Sequence, residues 1–281
     1  MTVKKTILLA VVVLLSTMTL AQAQQRDLHG TVGVTYDTKY MWRGVTVFGD
    51  KSGIHPFVDL DLMQTGFHVN VIGHRANSSG YEKNERWDYS IYYLGSVFDE
   101  ETYATKYRLG YTYFNYPDMS SHSRASWDLE EFNAAVSFPA LLAVKGLVPS
   151  YAIIKGWPSN SGSAVGAANA NGGTYAGWAH VFMLDYALPV TNLAPEIPEQ
   201  TFNFHVETVY NAGVDPRPNG GYSDSDWTHI LLGVTTDFDL GSGVTFTPGL
   251  YHQITMEDDK TNGISPDHDI NWASLTLTYK F

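Results

Sequence analysis

Imidazole and carboxylate side chains gather early in the 281-residue sequence: His55, Asp59 and Asp61, then His68 and His74. Such donors suit a divalent cation where they converge. The spacing matches no metal-binding loop, however, and no metal or other cofactor is expected. Cysteine is absent, so thiolate sites and disulfides are excluded. A second combination is His252 with Ser274, close to Asp267-His268-Asp269. Nucleophilic hydrolysis needs a base within hydrogen-bond reach of the hydroxyl. Here the two residues fall on opposite sets of an alternating pattern, so no catalytic residue is assigned.

That alternation points to the elements that carry these groups. In the last eleven residues, Ala273, Leu275, Leu277, Tyr279 and Phe281 alternate with Trp272, Ser274, Thr276, Thr278 and Lys280. A period of two that runs to the final residue gives one apolar and one polar face. The same pattern recurs upstream in Val32, Val34 and Tyr36; Val58, Leu60 and Leu62; Phe67, Val69 and Val71; and Tyr89, Ile91 and Tyr93. It continues in Tyr107, Leu109, Tyr111 and Tyr113; Phe132, Ala134, Val136 and Phe138; Phe202, Phe204, Val206 and Tyr210; and Thr228, Ile230, Leu232, Val234 and Phe238. None of these apolar faces carries a charge.

Twelve strands are predicted at 29–40, 53–62, 66–74, 86–98, 103–114, 127–138, 147–157, 174–186, 201–211, 226–238, 243–256 and 269–281. Each is about as long as the roughly 9–11 residues that a tilted strand needs to cross a bilayer. Short connections (63–65, 99–102, 239–242) alternate with longer polar ones (41–52, 75–85, 115–126, 158–173, 212–225, 257–268). Short periplasmic turns and long external loops produce that alternation. Strands seven and eight alternate poorly, with Pro149 in one and His180 near the apolar set of the other. The connection 188–200 is long for a periplasmic turn, so ten and fourteen strands stay open as alternatives. The segment 159–173, rich in Ser, Gly, Ala and Asn, reads as an external loop.

The N-terminus has the form of an export signal. Lys4 and Lys5 precede an apolar stretch from Ile7 to Leu20, and Ala21-Gln22-Ala23 offers a small-residue cleavage site. The apolar stretch is shorter than the roughly 20 residues of a spanning helix. The expected organisation is a signal peptide at 1–23 and a transmembrane antiparallel β-barrel at 24–281. Loss of Lys4 and Lys5 moves the formal charge from −12 to −14, which disfavours nucleic acid as a partner. No later apolar run is long enough for a helix, and a closed barrel is the other structure that satisfies its backbone in lipid.

The polar face of each strand should line the lumen. The candidates are Asp37, Lys39, His55, Asp59, Asp61, His68, Asn70, Asp88, Ser90, Lys106, Arg108 and Glu131, then Asn133, Asn203, His205, Glu207, His229, Asp237, Gln253 and Lys280. Carboxylates outnumber Lys and Arg in this set. A channel built from it should be weakly cation-preferring or unselective, because ring charges set selectivity in narrow pores. Twelve strands lie between small filled barrels and wide porins. So polar an interior argues against a plug of aliphatic side chains.

A series of short motifs carries a family resemblance. It runs through Tyr40-Met41-Trp42-Arg43-Gly44, Ile54-His55-Pro56-Phe57-Val58-Asp59-Leu60-Asp61 and Glu85-Arg86-Trp87-Asp88-Tyr89. Gly110-Tyr111-Thr112-Tyr113-Phe114-Asn115-Tyr116-Pro117 and Glu131-Phe132 complete it. In order, these resemble the TorF family of porin-like outer-membrane barrels across roughly residues 30–138. The resemblance implies a barrel and a pore and supplies no catalytic site. The matching positions are Tyr40, Trp42, Arg43, Gly44, Asp88, Tyr111, Tyr113, Tyr116, Pro117 and Glu131. Physically, Tyr40, Trp42, Tyr113 and Tyr116 are expected at the outer membrane interface, where amphipathic rings are favoured. Gly44 and Pro117 are expected to shape turns. Arg43 should pair with a loop carboxylate or a lipopolysaccharide phosphate.

The expected function is passive diffusion of small hydrophilic solutes through the outer membrane of a Gram-negative cell. Outer-membrane lipid, lipopolysaccharide and the barrel-assembly machinery, which would read the terminal Phe281, are the expected partners. A structural or adhesive barrel without an open pore, or an outer-membrane hydrolase, are the alternatives.

Overall fold

The computed structural model describes residues 28–118, 128–159, 177–194, 197–213, 225–256 and 269–281. The expected export signal, residues 160–173 of the segment expected to be an external loop, and the acidic Glu257-Asp258-Asp259 lie outside the described residues. Twelve antiparallel strands form one closed sheet: β1 (His29–Asp37), β2 (Gly53–Asp61), β3 (Phe67–Ala76), β4 (Arg86–Val97), β5 (Thr105–Asn115) and β6 (Leu129–Ser137) are the first half. The second half is β7 (Leu147–Pro158), β8 (Gly177–Ala194), β9 (Ile197–Ala212), β10 (Ser225–Thr236, with a short continuation Phe238–Gly241), β11 (Val244–Thr255) and β12 (Ile270–Lys280). Each strand pairs with its neighbours in sequence, and β1 pairs with β12 to close the ring. Gly30 and Phe281 complete the seam with two backbone bonds, Gly30 N to Phe281 O at 3.0 Å and Phe281 N to Gly30 O at 3.1 Å.

The outer wall is made by the apolar half of each strand. Val34, Ile91, Leu109, Phe132, Leu184, Val206, Leu232, Leu250, Leu275 and Leu277 are all exposed, and Leu250 reaches 63%. Aromatic rings flank this band. Trp87, Tyr89, Tyr111, Trp178 and Trp227 lie towards the long-loop end, and Phe67, Tyr279 and Phe281 towards the short-turn end. This is the belt arrangement that amphipathic rings adopt at the two faces of a bilayer.

Two differences from the sequence reading concern strand extent and facing. Residues 188–200, expected to be a connection, largely continue β8 and β9 as a ribbon, with pairs Leu188↔Phe202 and Thr191↔Glu199. Prolines at 189 and 198 masked this pairing; Pro189 lies where the ribbon has left the sheet edge, a position that tolerates a missing donor. Thr228 leaves the apolar face, because a register shift between Val209 and Tyr210 places it in a bulge. There its hydroxyl donates to Val209 O at 3.3 Å.

The face assignment has a direct test. Leu277→Arg puts a cation on the outer wall, where it costs about 2–4 kcal/mol near mid-depth. Thr276→Arg puts it on the inner face, opposite Thr35. The first variant should lose the heat-modifiable gel shift of the folded barrel and the second should keep it. Equal behaviour would reverse the facing of β12.

Candidate functional site

The first long connection does not project outward. Residues Met41–Trp42 and Val45–Thr46 pair as a small hairpin, and its turn residues Arg43 and Gly44 have φ of 51° and 84°. Two successive positive φ values give the twist that a two-residue hairpin turn needs. Glycine accepts this freely, whereas arginine does so at roughly 1–2 kcal/mol. The Arg43 side chain is fixed in return. Its guanidinium forms a two-pronged ion pair with Glu131 on the inner face of β6, with Nη2 to Oε2 at 2.5 Å. On the other side Gln253 of β11 donates to Gly44 O at 2.9 Å. A Cβ at Gly44 would lie 2.7 Å from His229 Nδ1 of β10. The hairpin therefore crosses the lumen and touches opposite walls.

Its root is held by an aromatic and ionic core. Arg86, with only 1% of its side chain exposed, sits 4.2 Å from the Trp42 ring and 4.8 Å from Phe114. Its Nε lies 2.9 Å from Asp88 Oδ1, and Nη2 donates to Tyr40 OH at 3.0 Å. Burial pushes the Tyr40 hydroxyl well above the usual phenol range, although Arg86 acts in the opposite direction. The hydroxyl thus stays neutral and accepts from Arg86. Tyr40 stacks on His74 at 4.8 Å and tilts over His55 at 4.5 Å. Phe48, fully buried, packs on Tyr40 and on Tyr81 of the second long connection.

Two expectations are corrected here. Tyr40 and Trp42 are inside the barrel, and Tyr116 packs against the same inner cluster while its hydroxyl accepts from Arg86 Nη1 at 3.3 Å. Tyr113 faces outward and donates to Asp128 at 2.7 Å; Tyr111 also faces outward, and Pro117 lies in the turn beyond β5. The inner wall, in turn, is not uniformly polar. Ala179, Val181, Val209, Phe114 and Leu129 form a buried apolar patch that receives Trp42. The weak alternation of β7 and β8 has this cause: beside the hairpin their inner residues Ala152, Ile154, Ala179 and Val181 are apolar as well. His180 lies on the outer face, with Tyr151 OH 2.7 Å from its Nδ1.

The histidines fall into separate groups. His55 Nδ1 and His74 Nδ1 are 2.9 Å apart, so one donates and the other accepts. His74 Nε2 reaches Asp88 at 3.0 Å, and His55 Nε2 lies 3.3 Å from Asp37. His68 bonds Asp59 at 3.0 Å lower in the lumen, where Tyr92 also donates to Asp59 at 2.5 Å and Arg108 lies 4.1 Å over the Tyr92 ring. Across the barrel, His205 lies 2.7 Å from Asp185, while Glu207 lies 3.8 Å from His205 and 3.6 Å from His229. Among the described residues no three such groups are set to hold a metal ion.

Lys106 and Lys280 occupy the inner face near the short-turn end, as does Asp61, whose carboxylate accepts from Gln64 N at 2.8 Å. Asp237 follows β10 and accepts from Thr247 at 2.5 Å. Lys39 belongs to the first long connection, 2.9 Å from Asp50, and not to a lumen strand. His252 faces outward beside Asn271 at 2.9 Å, whereas Ser274 is buried on the inner face. His268 lies outside the described residues. Arg86, Tyr92, Asp185 and Tyr251 are inner-face residues that the sequence analysis did not name, and Trp272, set there on the polar face of the last strand, also faces inward. Their parity with Asp88, Ser90, His205, Gln253 and Lys280 was the available signal.

Gly44→Val should unseat the hairpin, since both the positive φ and the approach to His229 oppose a side chain. Arg43→Ala leaves Glu131 buried without its main partner, a change that costs about 3–5 kcal/mol for buried pairs. Both variants should lower the melting temperature and enlarge single-channel conductance. Unchanged conductance in folded variants would show that the hairpin does not limit the passage.

No protein-family model matches the sequence, and neither does any curated protein. Solved structures do share the architecture. The KdgM porin aligns over 89% of this chain and 99% of its own with a TM-score of 0.50 at 8% identity. The NanC porin covers 90% of this chain and 98% of its own, with a TM-score of 0.48 at 11% identity. At 8% identity the likeness to the KdgM porin is one of fold alone.

Proposed function

We propose that this chain is an outer-membrane channel for passive diffusion of small hydrophilic solutes, narrowed by its own first long connection. The observation that carries the reading is the docked hairpin. It is held on one wall by the Arg43–Glu131 ion pair and on another by Gln253 and His229. A barrel that served only as a scaffold has no need for charged side chains held across its interior at such desolvation cost. Below the hairpin the lumen is lined by Asp59, Asn70, Arg108, Asn133, Asp185 and Asn203, groups that replace the hydration of a passing polar solute. With the long connections outward, the hairpin sits near the external mouth and Lys106, Lys280 and Asp237 near the periplasmic one. Small solutes and membrane lipid are then the partners, and no catalytic constellation is assigned. The resemblance to the TorF family is part of this proposal, since Tyr40 to Gly44 and Glu131 are both contributors to the docked hairpin and members of the motif series.

Selectivity follows from the charges. Arg43 offsets Glu131 and Arg86 offsets Asp88. Outside these pairs, Asp37, Asp59, Asp61, Asp185, Glu207 and Asp237 face Lys106, Arg108 and Lys280. The excess of carboxylates should give a modest cation preference. The test is single-channel recording of the refolded mature protein in a planar bilayer under a potassium chloride gradient. Reproducible steps with a weakly cation-selective reversal potential are expected. A strong anion preference would overturn the charge argument, and a folded protein that never conducts would favour a structural barrel closed by the hairpin.

A further inference from the structure

We infer that the inner wall beneath the hairpin holds a binding subsite for a saccharide unit without anionic groups; this rests on the channel reading and names its solute class. Hydrogen-bonded register places Asp185, His205, Gly233, Tyr251 and Trp272 in one row across β8 to β12. The row lies one inner-facing position below Gln253, which carries the hairpin tip. At one end are Asp185 and His205, bonded at 2.7 Å, with the Asp185 side chain still 49% exposed. At the other end Tyr251 and Trp272 lie nearly parallel, 5.1 Å between centroids and 12° between planes.

The middle of the row is a glycine over which the Tyr251 ring lies. A Cβ at Gly233 would come within 2.9 Å of the Tyr251 ring, and one at Gly249 would do the same. The ring therefore lies against backbone on two neighbouring strands. Below it, Ala187, Asn203, Thr235, Gly249 and Ser274 form a second row of small side chains. The result is a cavity of about 550 Å³ that includes Asp185, Asn203, His205, Thr235 and Tyr251 in its lining. This falls in the size range of small-molecule sites.

A flat aromatic surface beside carboxylate, amide and hydroxyl groups is complementary to a sugar ring. The apolar C–H face of a pyranose covers the aromatic plane, while its hydroxyls donate to planar acceptors. Among the described residues no Lys or Arg lines the cavity. Its charged or chargeable groups are Asp185 and His205, bonded at 2.7 Å, and with Glu207 lying 3.8 Å beyond His205 the carboxylates outnumber the imidazole. A uronate or phosphorylated sugar is disfavoured by that field, whereas a neutral or amino-bearing sugar is accepted.

The experiment uses the full refolded barrel with maltotriose, the glucosamine trimer and trigalacturonate as probes. Binding is read by tryptophan fluorescence in detergent and by current interruptions in a bilayer. Maltotriose and the glucosamine trimer should quench fluorescence and interrupt the current, and trigalacturonate should do neither. Tyr251→Ala should weaken both responses at least tenfold, and Asp185→Asn should weaken the glucosamine trimer more than maltotriose. Trp272→Phe should remove the fluorescence change but leave current interruptions. Discrete conductance that none of the neutral or amino probes interrupts would overturn the subsite while leaving the channel intact. A silent bilayer with quenching that Tyr251→Ala abolishes would leave the subsite and overturn the channel. Preferential response to trigalacturonate, or full responses in a folded Tyr251→Ala barrel, would also overturn the subsite.

Discussion

Every backbone amide and carbonyl inside a hydrocarbon layer must find its partner within the protein. In this chain that requirement is met by closing the sheet, and the seam between Gly30 and Phe281 is where it is met last. Once the ring is closed, each strand has an inside and an outside. The apolar half of the alternation then faces the membrane, and its rings fall at the two rims. The outer wall is accordingly uniform from strand to strand, because lipid asks the same thing of every residue that touches it.

The inside carries no such uniform demand, and the chain has specialised it by sector. Around Arg86 the requirement is compensation: a cation withdrawn from water needs an opposite charge and polarisable neighbours. Asp88, Tyr40, Trp42 and Phe114 supply them. On β7 to β9 the requirement is apolar contact for Trp42, met by the cluster that includes Ala179, Val181 and Val209, on which Ala152 and Ile154 also pack. Opposite the hairpin tip, Gln253 and His229 leave just enough room for a glycine. These sectors explain one another: the docked hairpin accounts for an apolar inner patch and a buried arginine that a simple water-filled tube would not contain.

The hairpin also divides the lumen. Above it, the second long connection supports the root through Tyr81 against Phe48 and through Asn84, which donates to Val47 O at 2.8 Å. Below it, small residues leave space beside the half-buried Tyr251, which stacks on Trp272, and beside Asp185 and His205. Constriction and cavity thus lie one beneath the other, the hairpin tip on Gln253 and the cavity at Tyr251, one inner-facing position below.

The closed barrel was legible in the sequence because period-two alternation is a local property. Ala273 to Phe281, or Tyr107 to Tyr113, display it within a single strand, and lipid enforces it without reference to any distant residue. The even number of strands and the alternation of short and long connections follow from the same pattern. The course of residues 41–52 was not legible. Nothing local distinguishes an aromatic at the membrane interface from one folded into the lumen, so Tyr40 and Trp42 fit either place by composition. Their position is decided where the hairpin meets Glu131, Phe114, Gln253 and His229, the contact of Gly44 with Gln253 spanning 209 residues of chain. For the same reason the poor alternation of β7 and β8 read as weak strands, although it records a second apolar contact on their inner face. Sequence by itself determined which side of the wall the residues of the cleanly alternating strands take, through the demand of lipid on one face. Only the tertiary structure decided what fills the interior, because that depends on pairings between segments far apart in sequence.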